Sequence, residues 1–131
     1  MERPYSGYAE LIGYELIDKE RDFARLQLLI KAHHLNRMDV PHGGVMATLI
    51  DTATGFAVGY AAGPERVLRA VTLSMNVQFM GQGKIGEIVT VEGRRIGGGK
   101  TVAFAKADVK NSAGEILARG DAVYRFLDKW S

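Results

Sequence analysis

No cysteine occurs in the 131 residues, and proline and tryptophan are scarce, at three and one. The missing thiols exclude disulfides and thiolate-bound metals, and they fit a reducing, cytoplasmic setting. A dominant charge is missing as well: 17 Lys and Arg against 15 Asp and Glu leave a formal net charge of +2. That balance is too mild to indicate nucleic acid or an anionic membrane surface as a partner. Repeats, low-complexity tracts and linkers are absent from the sequence, so the chain reads as one domain, 1–131, with enough residues for a single core. The opening Met1-Glu2-Arg3-Pro4-Tyr5 carries no apolar run of the kind a secretory signal needs. The one stretch that resembles a membrane span, residues 43–63, has Asp51 near its centre. A charge at that depth costs about 2.5–3.5 kcal/mol to insert. A buried helix in a water-soluble fold is expected instead.

The pattern that is present alternates between two periods. Residues 8–12 read as a short helix stopped by Gly13, and residues 14–19 as a strand. Residues 23–31 place Ala24, Leu26, Leu28 and Ile30 on one face and Arg25, Gln27 and Lys31 on the other, a half-buried strand entered through the turn Glu20-Arg21-Asp22. A polar loop, 33–41, follows, and Pro41 holds Val40 extended so that no helix starts before it. A helix is predicted from residues 42–44 to about Ala61, ended by Gly63-Pro64. Its core stripe is Met46, Leu49, Ile50, Ala53, Phe56, Ala57 and Tyr60. Gly44, Thr48, Asp51, Thr52, Gly55 and Gly59 make a second face of small and polar residues, open to close approach by another backbone or a ligand.

Everything after the helix reads as antiparallel strand: 68–80, 87–96, 101–110 and 115–127, with turns at Gly97-Gly98-Gly99 and Asn111-Ser112-Ala113-Gly114. The first of these alternates Val71, Leu73, Met75, Val77 and Phe79 against Thr72, Ser74, Asn76 and Gln78. Two strands, one long helix and four strands make an α+β domain, most economically a curved antiparallel sheet wrapped around the helix.

Chemistry concentrates at His42-Gly43-Gly44 and at Asp51, nine residues after the histidine. Free amides at a helix start attract anions. A carboxylate within an apolar helix, expected in apolar surroundings, is expensive unless it is used or neutralised. The pair points to a reaction that generates an oxyanion and needs a base. His42 is expected to hydrogen-bond locally at the helix start rather than to catalyse. His33 and His34 are adjacent and would point apart in an extended segment, so no metal site is expected.

In these residues the chain resembles the hotdog-fold acyl-CoA thioesterases of the PaaI type. The match comprises Asn36, His42-Gly43-Gly44, Asp51, Val71-Thr72, Met75-Asn76 and the turn Gly99-Lys100-Thr101. The resemblance implies a hotdog fold, hydrolysis of an acyl-CoA and no cofactor beyond the CoA of the substrate. It also implies a homodimer that shares its active sites, with a homotetramer as a dimer of dimers. Asp51 would be nucleophile or general base, and the Gly43 amide an oxyanion donor. Asn36 would orient water or support the thioester, and Thr72 would help position the attacking water. His42 and Gly44 are placed with the substrate-binding residues. Arg94, Arg95, Lys100 and Arg69 could meet CoA phosphates or simply coat a solvated hairpin. One departure stands out: Asp39 occupies a position where relatives usually carry glycine. A side chain there would need a different loop path, and its charge could disfavour CoA phosphates.

Gly43 and Asp51 are eight residues apart, about 12 Å along one helix, too far to touch one thioester carbon. Two helices from two chains can bring them together, which implies a symmetric dimer with two composite sites. Two other functions are compatible with the sequence. A hotdog hydratase or dehydratase would use an Asp–His pair, faintly echoed in Asp39-Val40-Pro41-His42. A non-catalytic acyl-CoA or acyl-carrier binding module would fit the mild charge and Asp39. Tyr5, Tyr8, Phe56, Tyr60 and Phe79 are candidates to line the acyl pocket.

Overall fold

The computed structural model describes residues 6–131, so Tyr5 lies outside the described residues. A short helix α1 (Gly7–Ile12) precedes strands β1 (Glu15–Glu20) and β2 (Phe23–Leu29). A 3₁₀ turn at Ala32–His34 and a loop lead into the long helix α2 (Gly43–Gly59). Four strands complete the chain: β3 (Ala70–Phe79), β4 (Ile88–Gly98), β5 (Val102–Lys110) and β6 (Ile116–Phe126). All six form one antiparallel sheet in the order β1-β2-β4-β5-β6-β3. This is the α+β hotdog architecture, with α2 laid along the concave face.

A row of small residues explains why the helix can lie so close to the sheet. Across five strands, Ala24 pairs with Gly93, Gly93 with Ala107, Ala107 with Gly120 and Gly120 with Val77. A β-carbon on Gly93 would stand 2.3 Å from the Ala53 carbonyl oxygen, and one on Gly120 would stand 3.0 Å from Ile50 Cγ2. The predicted stripe is the buried one: Met46, Leu49, Ile50, Ala53, Ala57 and Tyr60 are at most 4% exposed, with Phe56 half-buried. The second helix face departs from expectation. Gly55 makes room for Tyr124 of β6, whose hydroxyl lies 3.3 Å from the missing β-carbon, and Gly59 for the Leu68 carbonyl, also at 3.3 Å. Gly59 thus admits another stretch of backbone, as expected, but from its own chain, and Gly55 admits a side chain of its own chain.

Three local features were not foreseen. His33 and His34 sit on the 3₁₀ turn rather than in extended chain, so their rings lie 4.1 Å apart instead of pointing away from each other. His34 is buried: its Nδ1 accepts from the Lys31 amide at 2.9 Å, and Nε2 pairs with the Ile12 carbonyl at 2.7 Å. Accepting at Nδ1 leaves the neutral ring its proton on Nε2, as donor to Ile12. Asp39 takes φ 59, the left-handed conformation that glycine favours and aspartate tolerates. Asp39 thus adopts a backbone conformation open to glycine while carrying a side chain. The third feature is a bulge in β3 between Thr72 and Ser74.

Candidate active site

Asp51 stands midway along α2, half-buried and facing β3 and β6. The Thr72 hydroxyl donates to its Oδ1 at 2.8 Å. The Tyr124 hydroxyl lies 3.0 Å from the same oxygen and 2.7 Å from the Asp51 carbonyl oxygen. Thr54 Oγ1 lies 2.8 Å from the Tyr124 oxygen and 2.7 Å from the Ile50 carbonyl; with its proton turned to the Tyr124 oxygen, the phenol proton is left for Asp51. The carboxylate is therefore ringed by hydroxyls, which corrects the expectation of apolar surroundings. A carboxylate can sit inside a fold when such donors replace water. Tyr124 is itself 3% exposed, and burial pushes its phenol well above the usual range, so it stays protonated as a donor.

Thr72 reaches Asp51 because of the bulge. Thr72 pairs with Tyr124, and Ser74 pairs with Val123, leaving Leu73 as the extra residue. An extra residue resets the two-residue alternation of a strand. Thr72 thereby shares the concave face with Met75 and Val77 instead of the outer face with Ser74, Asn76 and Gln78.

A second group gathers at the start of α2. His42 caps the helix, its Nδ1 accepting from the Gly44 amide at 2.7 Å. The local hydrogen bond expected of His42 at the helix start is present. Among the described residues the Gly43 amide meets no acceptor. Gly43 borders a recess of about 180 Å³ lined by Asn36, Met38, Met46 and Phe79 among others. The Phe79 ring lies 3.2 Å from the point where a Gly43 β-carbon would stand. Asn36 is turned inward on its own loop: Oδ1 accepts from the Met38 amide at 2.8 Å and more weakly from Val40 at 3.4 Å. It shapes the turn that delivers Asp39 and Pro41.

Asn36 and Gly43 are thus brought together, as are Asp51 and Thr72, but the two pairs are held apart by two turns of helix. The basic residues do not form one cluster either. Arg94 lies over the Phe23 ring at 4.4 Å, while Arg95 and Lys100 share Trp130 at 6.0 and 5.8 Å. Arg95 also donates to the Gly99 carbonyl at 3.0 Å and pairs with Asp22 at 3.7 Å. Arg69 is held by Asp128, 2.8 Å away. Among the described residues no group of three His, Asp or Glu is placed to hold a metal ion, and no helix is long and apolar enough to cross a membrane.

Residues 38–118, well over half the chain, match the thioesterase superfamily. The chain belongs to that superfamily. Mouse acyl-coenzyme A thioesterase 13 is 33% identical over 95 residues, which cover 72% of this chain and 66% of the mouse protein. The match therefore spans just under two thirds of that relative's length. Escherichia coli PaaI, from the phenylacetic acid degradation operon, has the same fold: TM-score 0.86 at 22% identity, covering 95% of this chain and 86% of PaaI. So does the Streptococcus mutans protein smu.793, solved bound to acetyl CoA, with TM-score 0.80 and 23% identity over 90% of this chain and 91% of that one. Within this thioesterase-superfamily chain, Tyr124 is the site residue that sequence reasoning missed. Its only signal was a hydroxyl on a strand face otherwise built from Ala118, Gly120, Ala122 and Phe126, and a buried tyrosine needs a partner.

Proposed function

We propose that this chain is an acyl-CoA thioesterase that hydrolyses a thioester to free CoA and a carboxylic acid. The observation that carries the reading is Asp51, a half-buried carboxylate held at Oδ1 by Thr72 at 2.8 Å, on the helix whose first amide belongs to Gly43. Asp51 takes a proton from water as the water oxygen bonds to the thioester carbon. The carbonyl oxygen becomes an oxyanion, which the Gly43 amide stabilises. A preorganised donor of this kind contributes about 2.7–4 kcal/mol. The C–S bond then breaks, its electron pair leaves with sulfur, and the proton on Asp51 passes to the CoA thiolate. Family membership and the mouse relative support the substrate class, and Thr72 beside Asp51 favours activated water over direct attack by the carboxylate.

The two groups complete each other only across a dimer. β3 is an edge strand of ten residues, with Val71 42%, Leu73 56% and Phe79 59% exposed. A long exposed edge is a template for pairing with another strand. Pairing two copies about a two-fold axis there sets their α2 helices side by side, with Asp51 of one protomer near Gly43 of its partner.

The test is release of CoA thiol from benzoyl-, phenylacetyl- and straight-chain acyl-CoAs by wild type and Asp51→Asn. Loss of about 10²–10⁴-fold is expected, the usual range for a general base. Acyl-CoA binding without CoA release over hours would make the chain a binding module. Hydration of crotonyl-CoA would make it a hydratase. Single turnover in ¹⁸O-labelled water bears on the two roles of Asp51: a base puts solvent oxygen into the first product, whereas an anhydride on Asp51 opened by water at the aspartyl carbon delivers the carboxylate's own oxygen.

A further inference from the structure

We infer that Tyr124 is a positioning residue for Asp51, fixing the carboxylate so that Oδ2 is the oxygen that takes the proton from water. The inference rests on the thioesterase reading and refines the same site. Two hydroxyls converge on Oδ1, Thr72 at 2.8 Å and Tyr124 at 3.0 Å. Among the described residues none donates to Oδ2. Donors on one oxygen occupy its lone pairs and draw charge toward it, so the other is left to meet water.

Tyr124 does more than add a donor. Its oxygen lies 2.7 Å from the Asp51 carbonyl as well as 3.0 Å from the side chain, so the phenol's one proton is shared between the backbone and the carboxylate of a single residue. That contact opposes rotation of the Asp51 side chain relative to the helix. Thr54, 2.8 Å from the phenol oxygen, braces it from the next turn. Gly55 faces the phenol from the helix: a β-carbon there would stand 3.3 Å from the hydroxyl and 3.7 Å from Cε1 and Cζ. The phenol is pinned by its partners, so it cannot give way freely. Glycine at 55 gives the hydroxyl end its room against the helix, so a β-carbon there is a way to displace the phenol without removing its hydroxyl.

The experiment compares wild type, Tyr124→Phe, Gly55→Ala, Asp51→Asn and a core variant remote from the site, Val109→Ala, on the best acyl-CoA substrate. Tyr124→Phe keeps the ring and removes the hydroxyl. Its kcat should fall about 10- to 100-fold, while KM stays within threefold and circular dichroism stays native. Val109→Ala, equally buried but distant, should lower Tm without lowering kcat. An unchanged kcat in folded Tyr124→Phe, or a change confined to KM, overturns the inference. If Tyr124→Phe does not fold, Gly55→Ala decides. A fall in kcat of fivefold or more at constant KM supports positioning, and wild-type kcat overturns it. Asp51→Asn separates the levels: if it retains wild-type turnover the thioesterase mechanism fails, whereas an inactive Asp51→Asn beside a fully active Tyr124→Phe removes only the role given to Tyr124.

Discussion

Thr72 Oγ1 lies 2.8 Å from Asp51 Oδ1 because β3 carries one residue more than β6 between Thr72 and Ser74. Removing the hydroxyl tests what the bulge accomplishes. A hydrogen bond to a charged group contributes about 1.5–3 kcal/mol, and about 1.4 kcal/mol is tenfold in rate. Thr72 is solvent-exposed, so the lower end applies. Thr72→Val should reduce kcat about tenfold, and Thr72→Ser should restore most of it. Equal rates for all three proteins would show that the contact has no part in turnover.

Mixed dimers test the shared site. Asp51→Asn and Gly43→Val homodimers are each expected to be inactive. Co-expressed with two different tags and purified as the heterodimer, they leave one site with an intact Asp51 facing an intact Gly43. Activity of about half the wild-type value per dimer is expected. A heterodimer as inactive as its parents would place each whole site within one chain.

His34 makes stability depend on pH. Burial first, then the nearby positive charges of His33 and Lys31, hold its pKa below the ordinary 6.5, against an opposing contribution from the Ile12 carbonyl. The neutral ring is needed, because Nδ1 accepts from the Lys31 amide. The unfolded chain therefore binds this proton more readily than the folded one. The stabilisation is fully present above about pH 6.5 and is lost as pH falls through the lower folded value. Tm measured from pH 7.5 to pH 5 should fall more steeply in wild type than in His34→Asn, which starts lower. Parallel curves would remove His34 as the cause.

Gly93→Ala probes the seat of the helix. Its β-carbon would stand 2.3 Å from the Ala53 carbonyl oxygen, with backbone rather than a flexible side chain in the way. Overpacking costs about 1–3 kcal/mol, and each kcal/mol moves Tm by roughly 2–8 °C at these sizes. Thermal unfolding at one fixed protein concentration should show a drop of at least several degrees. An unchanged Tm would mean that helix and sheet are not in contact there.

Where residues interact with neighbours three or four positions away, they were legible without coordinates. The stripe from Met46 to Tyr60, the cap at His42 and the glycine stop of α1 follow from short-range periodicity and turn chemistry, and the fold class follows from their order. Asp51 and Gly43 could be placed on one helix and measured apart because helical rise is constant. The basic residues could be counted, but their division between Phe23 and Trp130 could not be foreseen.

By itself, then, the sequence determined the elements, the helix that carries Gly43 and Asp51, and the need for a second chain if those residues are to act on one carbon. Only the tertiary structure decided which hydroxyls surround the carboxylate, that Gly55 and Gly59 serve their own chain, and that Asp39 takes a left-handed backbone conformation. The physical reason is register. A strand's periodicity fixes which residues share a face, but one extra residue at Leu73 resets that phase. The pairing of β6 with β3 then carries Tyr124 to Asp51 across 73 positions of sequence.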